Sequence, residues 1–247
     1  MNNATRIVRL VAGFMLIGVP TVAAQTPPPT KNIYVDFNFG VQPSAQTFSI
    51  TTPNPPQLVY GESVILSGTQ GINGSTLIDI MGGYRVWKNF SVALGFDTTV
   101  GGKGDASVTA GIPHPIFFDT RKESTQAVTD LAHSERAIHL AFMWTTPISD
   151  KMDASVYAGP SWIKVKQEVI NSVSVPPGTQ DFTPIVTEES EGAKTGFHFG
   201  GDVTYLFMPN VGAGGFIRFV NASVDLPSAP GLDAGGFQYG GGVRVRF

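Results

Sequence analysis

Hydrophobic and polar residues alternate strictly along the C-terminal segment of the chain. Phe237, Tyr239, Val243, Val245 and Phe247 share one parity, while the other parity carries mainly glycine, glutamine and arginine. Successive side chains of a β-strand point to opposite faces. The segment therefore predicts a strand with one apolar, aromatic face and one face that is small or charged.

The same alternation recurs in seven further segments, so the pattern predicts an all-β chain of eight strands, with ten strands left open. The opening segment IYVDFNFGV is among the clearest examples. The predicted strands cover residues 32–42, 78–86, 90–97, 137–144, 154–166, 194–207, 211–223 and 237–247.

The fifth predicted strand is less regular than the others. Its apolar parity changes, since Val156 lies on one face and Ile163 on the other. Pro160 lies at the change, and proline within a sheet favours edges and bulges. The sequence predicts a β-bulge or register change there, with Lys164 and Lys166 on the polar face.

The connections between these strands alternate in length. The short ones are residues 87–89, 147–153 and 208–210, and the long ones are 43–75, 100–135, 167–193 and 225–234. Short turns on one rim and long loops on the other are typical of a transmembrane β-barrel with short periplasmic turns and long extracellular loops. An even strand number leaves both termini in the periplasm.

The two faces predict how such a barrel sits in a membrane. Lipid cannot hydrogen-bond a sheet edge, so a spanning sheet must close on itself, antiparallel and up-and-down, with its apolar parity outside. The alternative is a soluble lipocalin-like barrel with the apolar parity inside. Aromatic residues near the short turns are expected to form an interfacial girdle: Trp87, Phe90, Trp144, Tyr205, Phe207 and Phe247.

The N-terminus predicts export. Residues 1–24 combine Arg6 and Arg9, a short apolar run and a small-residue cleavage site, as in a Sec signal peptide. A helical membrane anchor is the alternative, although about ten apolar residues span only ~15 Å. Residues 25–31 are expected to be a periplasmic lead-in, and residues 32–247 the outer-membrane barrel.

Composition narrows the function classes. The mature chain keeps fourteen basic and nineteen acidic residues, a net charge of −5, which argues against a nucleic-acid partner. The chain has no cysteine, so it can form neither a disulfide nor a thiol nucleophile.

The quoted segments also carry a family resemblance. The signal peptide, the strand IYVDFNFGV, the hairpins GGYRVWKNFSVALGF and GGDVTYLFMPNVGAGGFIRF and the terminal GGGVRVRF resemble the small outer-membrane β-barrel superfamily of the OmpA/OmpX type. The resemblance covers the mature chain and implies architecture and a location in the cell outer membrane. It does not imply an activity, because that superfamily hosts adhesins, small channels, anchors and a few lipid-modifying enzymes.

Charged residues on the predicted inward parity are expected to close the lumen. An eight-stranded barrel is just wide enough for side chains to fill it, and buried charges need partners. The expected pairs are Asp36 with Arg244 and Asp202 with Arg218. The full inward set is Asp36, Asp79, Arg85, Asp97, Lys164, Lys166, His198, Asp202, Arg218, Arg244 and Arg246.

No catalytic, cofactor-binding or metal-binding residues are predicted. In the lipid A deacylase pattern of some such barrels, a lipid-facing His and Ser lie two residues apart on a strand. Ala141 follows His139 at that spacing and Gly200 follows His198, so the motif is absent. The remaining histidines, His114 and His133, are interpreted as ordinary polar residues. The acidic run Glu188, Glu189 and Glu191 could bind a cation but is interpreted as solvated.

The predicted function is a structural or surface-interaction scaffold, not an enzyme, with no cofactor. A low-conductance porin-like channel and a lipid-modifying enzyme are the alternatives. The expected partners are outer-membrane lipid and lipopolysaccharide, the barrel-assembly machinery through the strand ending in Phe247, and an unidentified extracellular ligand. The protein is expected to be a monomer.

Overall fold

The computed structural model describes residues 32–43, 46–52, 55–186, 189–226 and 229–247, so the predicted signal peptide and the whole predicted lead-in lie outside the described residues. The described residues form fifteen strands and no helix. In chain order the strands are β1 (Ile33–Gln42), β2 (Gln46–Thr51), β3 (Leu58–Val59), β4 (Glu62–Ser63), β5 (Ile65–Ile72), β6 (Ser75–Trp87), β7 (Phe90–Val100), β8 (Gly102–Pro113), β9 (Arg121–Ser149), β10 (Met152–Gln167), β11 (Ile170–Ser174), β12 (Thr183–Val186), β13 (Ser190–Leu206), β14 (Val211–Leu226) and β15 (Ala229–Arg246).

Eight of these strands close into a barrel. The order is β1-β6-β7-β9-β10-β13-β14-β15, every pairing is antiparallel, and β15 pairs back to β1. At the seam Phe247 N–H donates to the Ile33 carbonyl at 2.8 Å. Closure leaves no free edge within the barrel, which a hydrocarbon surrounding requires. The prediction of an eight-stranded up-and-down antiparallel barrel is confirmed.

The predicted faces are also confirmed along the barrel wall. On β1 the side chains of Tyr34, Asp36 and Asn38 are buried, whereas Phe37 and Phe39 are 49% and 68% exposed on the outside. An apolar exterior around a polar interior is the pattern of a barrel in lipid. The soluble lipocalin-like alternative needs the opposite assignment and is wrong. The residues predicted for the interfacial girdle face outward near the short turns, five of them largely exposed and Phe90 partly: Trp87, Phe90, Trp144, Tyr205, Phe207 and Phe247.

The predicted bulge near Pro160 is wrong. The ladder between β10 and β13 runs without a shift through Pro160, which pairs with Phe197. Lys164 and Lys166 therefore stay on the outward parity, and Ile163 and Val165 point inward and are buried. β10 thus keeps its register along its whole length, and only the environment on its two faces changes.

The hydrophobic pattern inverts because the upper part of the barrel leaves the bilayer. Within the membrane the outside touches lipid, so apolar residues face out; beyond it the outside touches water, so apolar residues face in. An apolar layer therefore fills the upper barrel mouth. We name it the apolar lid, and it consists of Ile72, Ala137, Ile163, Val165, Val220, Ala222, Val224, Leu226, Leu232 and Ala234.

Three of the long connections contain strands of their own. β2, β5 and β8 add to the upper half of β9 to form a sheet that continues beyond the barrel wall, and β11 and β12 form a separate hairpin. Together they enclose a second hydrophobic core, and we call this unit the extracellular cap. Its core consists of Ile50, Val64, Leu66, Ala106, Val108, Ala110, Ile112, Leu131, Ile170, Val173 and Phe182.

Candidate functional site: lumen network, outer rim and cap tip

The centre of the lumen holds a buried arginine. Arg218 Nη1 lies 3.0 Å from Asp79 Oδ2, Nη2 contacts Asp97, and Nε donates to Gln238 Oε1 at 2.8 Å. These partners come from β6, β7 and β15, while Arg218 itself lies on β14. The guanidinium has five donors in a planar fork, so one side chain can tie several strands together.

A second arginine cluster lies nearer the short-turn rim. Arg244 contacts Asp202 and donates to Asn38 Oδ1 at 2.6 Å, and its Nε lies 3.8 Å from Asp36 Oδ1. Asp36 is held more closely by Arg246 Nη1, at 2.6 Å. Buried carboxylates and guanidinium groups thus share hydrogen bonds around β1, β13 and β15, which offsets their desolvation.

One of the two predicted pairs is found and the other is not. Asp36 and Arg244 are neighbours across the barrel seam, as predicted. Asp202 binds Arg244 instead of Arg218. The Arg218 side chain extends across the lumen to the opposite wall, so the strand pairing that the sequence predicts does not determine its partners.

The remaining inward predictions are mostly confirmed. Arg85, Asp202 and Arg246 are partly buried, and Lys164 and Lys166 lie outside. The residues that are buried in the lumen are Asp36, Asp79, Asp97, His198, Arg218 and Arg244.

A hydrogen-bonded chain runs around the lumen from Asp97. Asp97 Oδ2 lies 2.8 Å from His139 Nε2, His139 Nδ1 lies 2.8 Å from Ser161 Oγ, and Ser161 Oγ lies 2.9 Å from His198 Nδ1. Asp, His and Ser are the residue types of nucleophilic acyl transfer. Here His139 and Ser161 are completely buried, so no external substrate reaches the hydroxyl in this arrangement.

Sequence reasoning missed Ser161 as a member of this chain. The expected His and Ser spacing lies within one strand, whereas His139 and Ser161 are direct cross-strand partners on β9 and β10. Their shared inward parity is the only sequence signal that could have found them.

A further polar cluster lies among the residues of the apolar lid, since the lid residue Ala137 stands between His139 and Glu135 on β9. Glu135 accepts from Gln42 Nε2 at 3.1 Å and from the Gly235 N–H at 2.9 Å, and its Oε1 lies 3.1 Å from His133 Nε2. His133 Nδ1 lies 2.7 Å from Gln167 Oε1. Polar groups at this height are thus paired with one another, as buried polar groups require.

Charged residues on the outer rim form ion pairs. Lys164 contacts Glu191, and Lys166 contacts Glu189 and lies 2.8 Å from Glu191. Hydrogen bonds from the two lysines lower the pKa of Glu191 to about 2. Glu189 and Glu191 are therefore paired, not the free solvated run that was expected; Glu188 lies outside the described residues.

The outermost hairpin of the cap, between β8 and β9, exposes three consecutive apolar side chains. Ile116, Phe117 and Phe118 are 75%, 62% and 78% exposed. Exposing large apolar side chains to water is unfavourable, and contiguous exposed apolar groups often mark interaction sites. We call these three residues the apolar tip.

The tip is held in shape by its own hairpin. His114 Nδ1 accepts from the N–H groups of Ile116 and Phe117, each at 3.1 Å, and its ring packs 4.8 Å from that of Phe117. Asp119 adopts a positive φ of 57° and donates its N–H to Glu62 at 3.2 Å. The apolar side chains are thus presented on an ordered turn.

The described residues contain neither a metal-binding cluster nor a membrane-spanning helix. No group of three or more His, Asp or Glu side chains converges as a metal site would require. No helix in this part of the chain is long and apolar enough to cross a bilayer.

Among known proteins, the chain is similar to solved structures, and the similarity is one of fold. No protein-family profile and no curated protein matches the chain. The fold is similar to OprG of Pseudomonas aeruginosa (11% identity, 88% of this chain and 96% of that chain, TM-score 0.44) and to the N-terminal barrel domain of OprF of the same organism (13%, 88% and 98%, 0.43). It is also similar to the outer membrane protease OmpT of Escherichia coli (13%, 89% and 97%, 0.45).

Because these TM-scores and sequence identities are low, the class of protein is assigned from the geometry of the chain itself. A closed antiparallel ring of eight strands, an apolar exterior band and a charged, hydrogen-bonded lumen define a membrane-spanning β-barrel of the outer-membrane type. The resemblance read from the sequence is therefore confirmed at the level of architecture.

Proposed function

We propose that the protein is an outer-membrane surface-interaction scaffold: a barrel closed to solutes by its own side chains that presents the extracellular cap to a partner. The observation that carries the proposal is the apolar tip. Ile116, Phe117 and Phe118 lie on an ordered turn and contribute nothing to either hydrophobic core. Loops held by a rigid scaffold are frequent sites of binding.

Packing of the lumen supports the closed barrel. Two arginine clusters lie along the bore below the apolar lid, and the polar groups around Glu135 lie among the lid residues. An ion crossing it would have to break buried ion pairs and then pass an apolar constriction, and each step is unfavourable. These contacts favour the scaffold over the low-conductance channel.

The same contacts disfavour an enzyme. The only Asp, His and Ser chain described in the lumen is buried, and the outward His and Ser pattern of the lipid A deacylases is absent from the sequence. We therefore propose a protein without catalytic or cofactor-binding residues.

Several further parts of the proposal concern biogenesis and partners. Residues 1–24 direct export and are removed, and the strand ending in Phe247 is read by the barrel-assembly machinery. The mature protein is a monomer surrounded by outer-membrane lipid and lipopolysaccharide, with both termini periplasmic.

Adhesion to an apolar surface tests the role of the tip. Cells that display the protein should adhere to octyl-coated beads, and the Ile116→Ser/Phe117→Ser/Phe118→Ser variant should fall to the level of cells without the protein. The control Lys122→Gln/Asp181→Asn removes a neighbouring ion pair of 3.0 Å but keeps the tip, so its adherence should be unchanged. Equal adherence of all three proteins, at equal surface amounts, would reject the proposal.

A further inference from the structure

Two cations stand side by side on the outside of the barrel, where the apolar band ends. Arg136 on β9 and Lys164 on β10 are direct cross-strand partners on the outward parity. Like charges placed directly opposite each other on antiparallel strands repel and destabilise the pair. A group that lies between them and carries negative charge would remove that repulsion.

Of the cations on this part of the described wall, Arg136 is the one without an ion-pair partner. Among the described residues it forms no ion pair, whereas Lys164 and Lys166 share Glu189 and Glu191. Within this described set, three cations face two carboxylates, which leaves one positive charge uncompensated at Arg136. The guanidinium suits a phosphate, because its planar fork can donate two parallel hydrogen bonds.

An apolar row lies directly beneath the cations. Phe96, Ile138 and Trp162 are consecutive cross-strand partners on β7, β9 and β10, and each is about half exposed on the outside. Tryptophan is favoured at the membrane–water boundary, since its ring is apolar and its N–H is polar. The cationic pair therefore sits one step above the last apolar row of the membrane band.

Both rows line one groove on the outer wall. It encloses about 490 Å³, and its lining includes Phe96, Arg136, Ile138, Trp162 and Lys164. The lower half of the groove is apolar and the upper half is cationic. This arrangement is complementary to an amphiphile whose acyl chain lies in the bilayer and whose anionic headgroup lies at the bilayer surface.

We propose that this groove binds a phosphate-bearing lipid of the outer leaflet. The Arg136 guanidinium and the Lys164 ammonium donate to the phosphate oxygens, and the acyl chain packs against Phe96, Ile138 and Trp162. Lys164 can keep Glu191 while it binds, since an ammonium has three donors. The inference is independent of the apolar tip, which lies at the far end of the cap.

Native mass spectrometry with diphosphoryl lipid A as the probe tests the site. Protein folded in a neutral detergent should retain bound lipid A, and Arg136→Gln/Lys164→Gln should weaken retention by about tenfold or more, because two charge-assisted hydrogen bonds are lost. Lys103→Gln/Lys122→Gln removes two exposed extracellular cations away from the groove and should bind as the unmodified protein does. Thr98→Lys adds a third cation beside Arg136 and should strengthen retention.

Several outcomes would overturn the proposal. They are absence of binding by the unmodified protein, equal weakening in the control, and no gain from Thr98→Lys. Competition with inorganic phosphate distinguishes a lipid site from a site for free phosphate. If millimolar phosphate displaced all of the lipid A and Trp162→Ala still retained lipid A normally, the groove would bind phosphate without a lipid chain. Heat-modifiable migration on a gel confirms that each variant is folded, and Thr98→Lys keeps the test decisive if the double variant does not fold.

Discussion

Arg218 and Asp97 join opposite walls of the barrel. β14 and β7 stand four places apart in the ring of eight strands, and the Arg218 guanidinium contacts the Asp97 carboxylate across the bore. Both side chains are almost completely buried, and Asp79 accepts from the same guanidinium. The pair therefore acts as a cross-brace that fixes the distance between two walls with no shared backbone hydrogen bonds.

Removal of this brace should destabilise the barrel. Arg218→Leu leaves the carboxylates of Asp79 and Asp97 buried without their main cation, so we expect a loss of about 3–5 kcal/mol in the free energy of unfolding. Asp97→Asn should lose less, because Asp79 still pairs with the arginine. Urea unfolding in lipid vesicles, followed by tryptophan fluorescence, measures both. Lys122→Leu, at the exposed ion pair with Asp181 in the cap, is the control, and an equal loss there would contradict the brace.

The unmodified barrel should conduct poorly. In the proposed closed barrel the arginine clusters and the apolar lid obstruct the bore, so in planar bilayers we expect no steady ohmic current. Arg218→Ala alone should not open a path, since the lid above it remains. Single-channel recording checks both statements. A large, steady conductance from the unmodified protein would instead establish the channel alternative.

Lipid exposure should vary with depth along β13. Phe199→Arg places a cation in the apolar band and should reduce the free energy of unfolding by about 2–4 kcal/mol. Thr195, on the same face, lies at the upper edge of the band beside Trp162, so Thr195→Arg should lose only about 0–1 kcal/mol. Folding titrations in vesicles compare the two variants. Equal losses would mean that the boundary of the bilayer is wrongly placed.

Orientation can be read from labelling of intact cells. A peptide tag inserted at Gly178, in the exposed turn between β11 and β12, should bind antibody without permeabilisation. A tag at Pro209, in the short turn between β13 and β14, should bind only after permeabilisation. The opposite result would invert the barrel in the membrane.

The rim carboxylate Glu191 should titrate at unusually low pH. Its pKa of about 2, against an ordinary 4.5, means that its ion pairs are complete above pH 4.5 and are lost as the pH falls toward 2. NMR of the side-chain carboxyl carbon follows this titration. In Lys164→Gln/Lys166→Gln the midpoint should return toward 4.5, and an unchanged midpoint would exclude the lysines as the cause.

The number of strands and the outward face of each could be predicted from the sequence, because lipid imposes one rule on every membrane segment: apolar residues face outward and alternate with inward polar residues. The same rule misled at Lys164 and Lys166, where the outside of the strand touches water and its hydrophobic pattern inverts. The sequence predicts a loop where β8 lies, because two of its buried positions, Ala106 and Ala110, are small and contrast weakly with neighbouring Ser107 and Thr109.

Partners inside the lumen lay beyond sequence reasoning for a different reason. Register predicts which residues are neighbours on adjacent strands, as for Asp36 and Arg244. Arginine side chains are long enough to skip neighbouring strands, so Arg218 meets Asp79 and Asp97 instead of Asp202. Their selection depends on the barrel diameter and on the heights of the side chains, which alternation does not encode.

The 29 residues of β9 give the protein a mechanical property. This one strand runs from the tip hairpin at Arg121, past the buried His139 in the lumen, to the short turn after Ser149. A force that pulls on the tip acts along the axis of this strand. The hydrogen bonds that pair β9 with β7, β8 and β10 are then loaded in shear, so they resist the force all at once instead of breaking one after another. A contact made at the outermost hairpin is thereby anchored against tension through the full depth of the membrane.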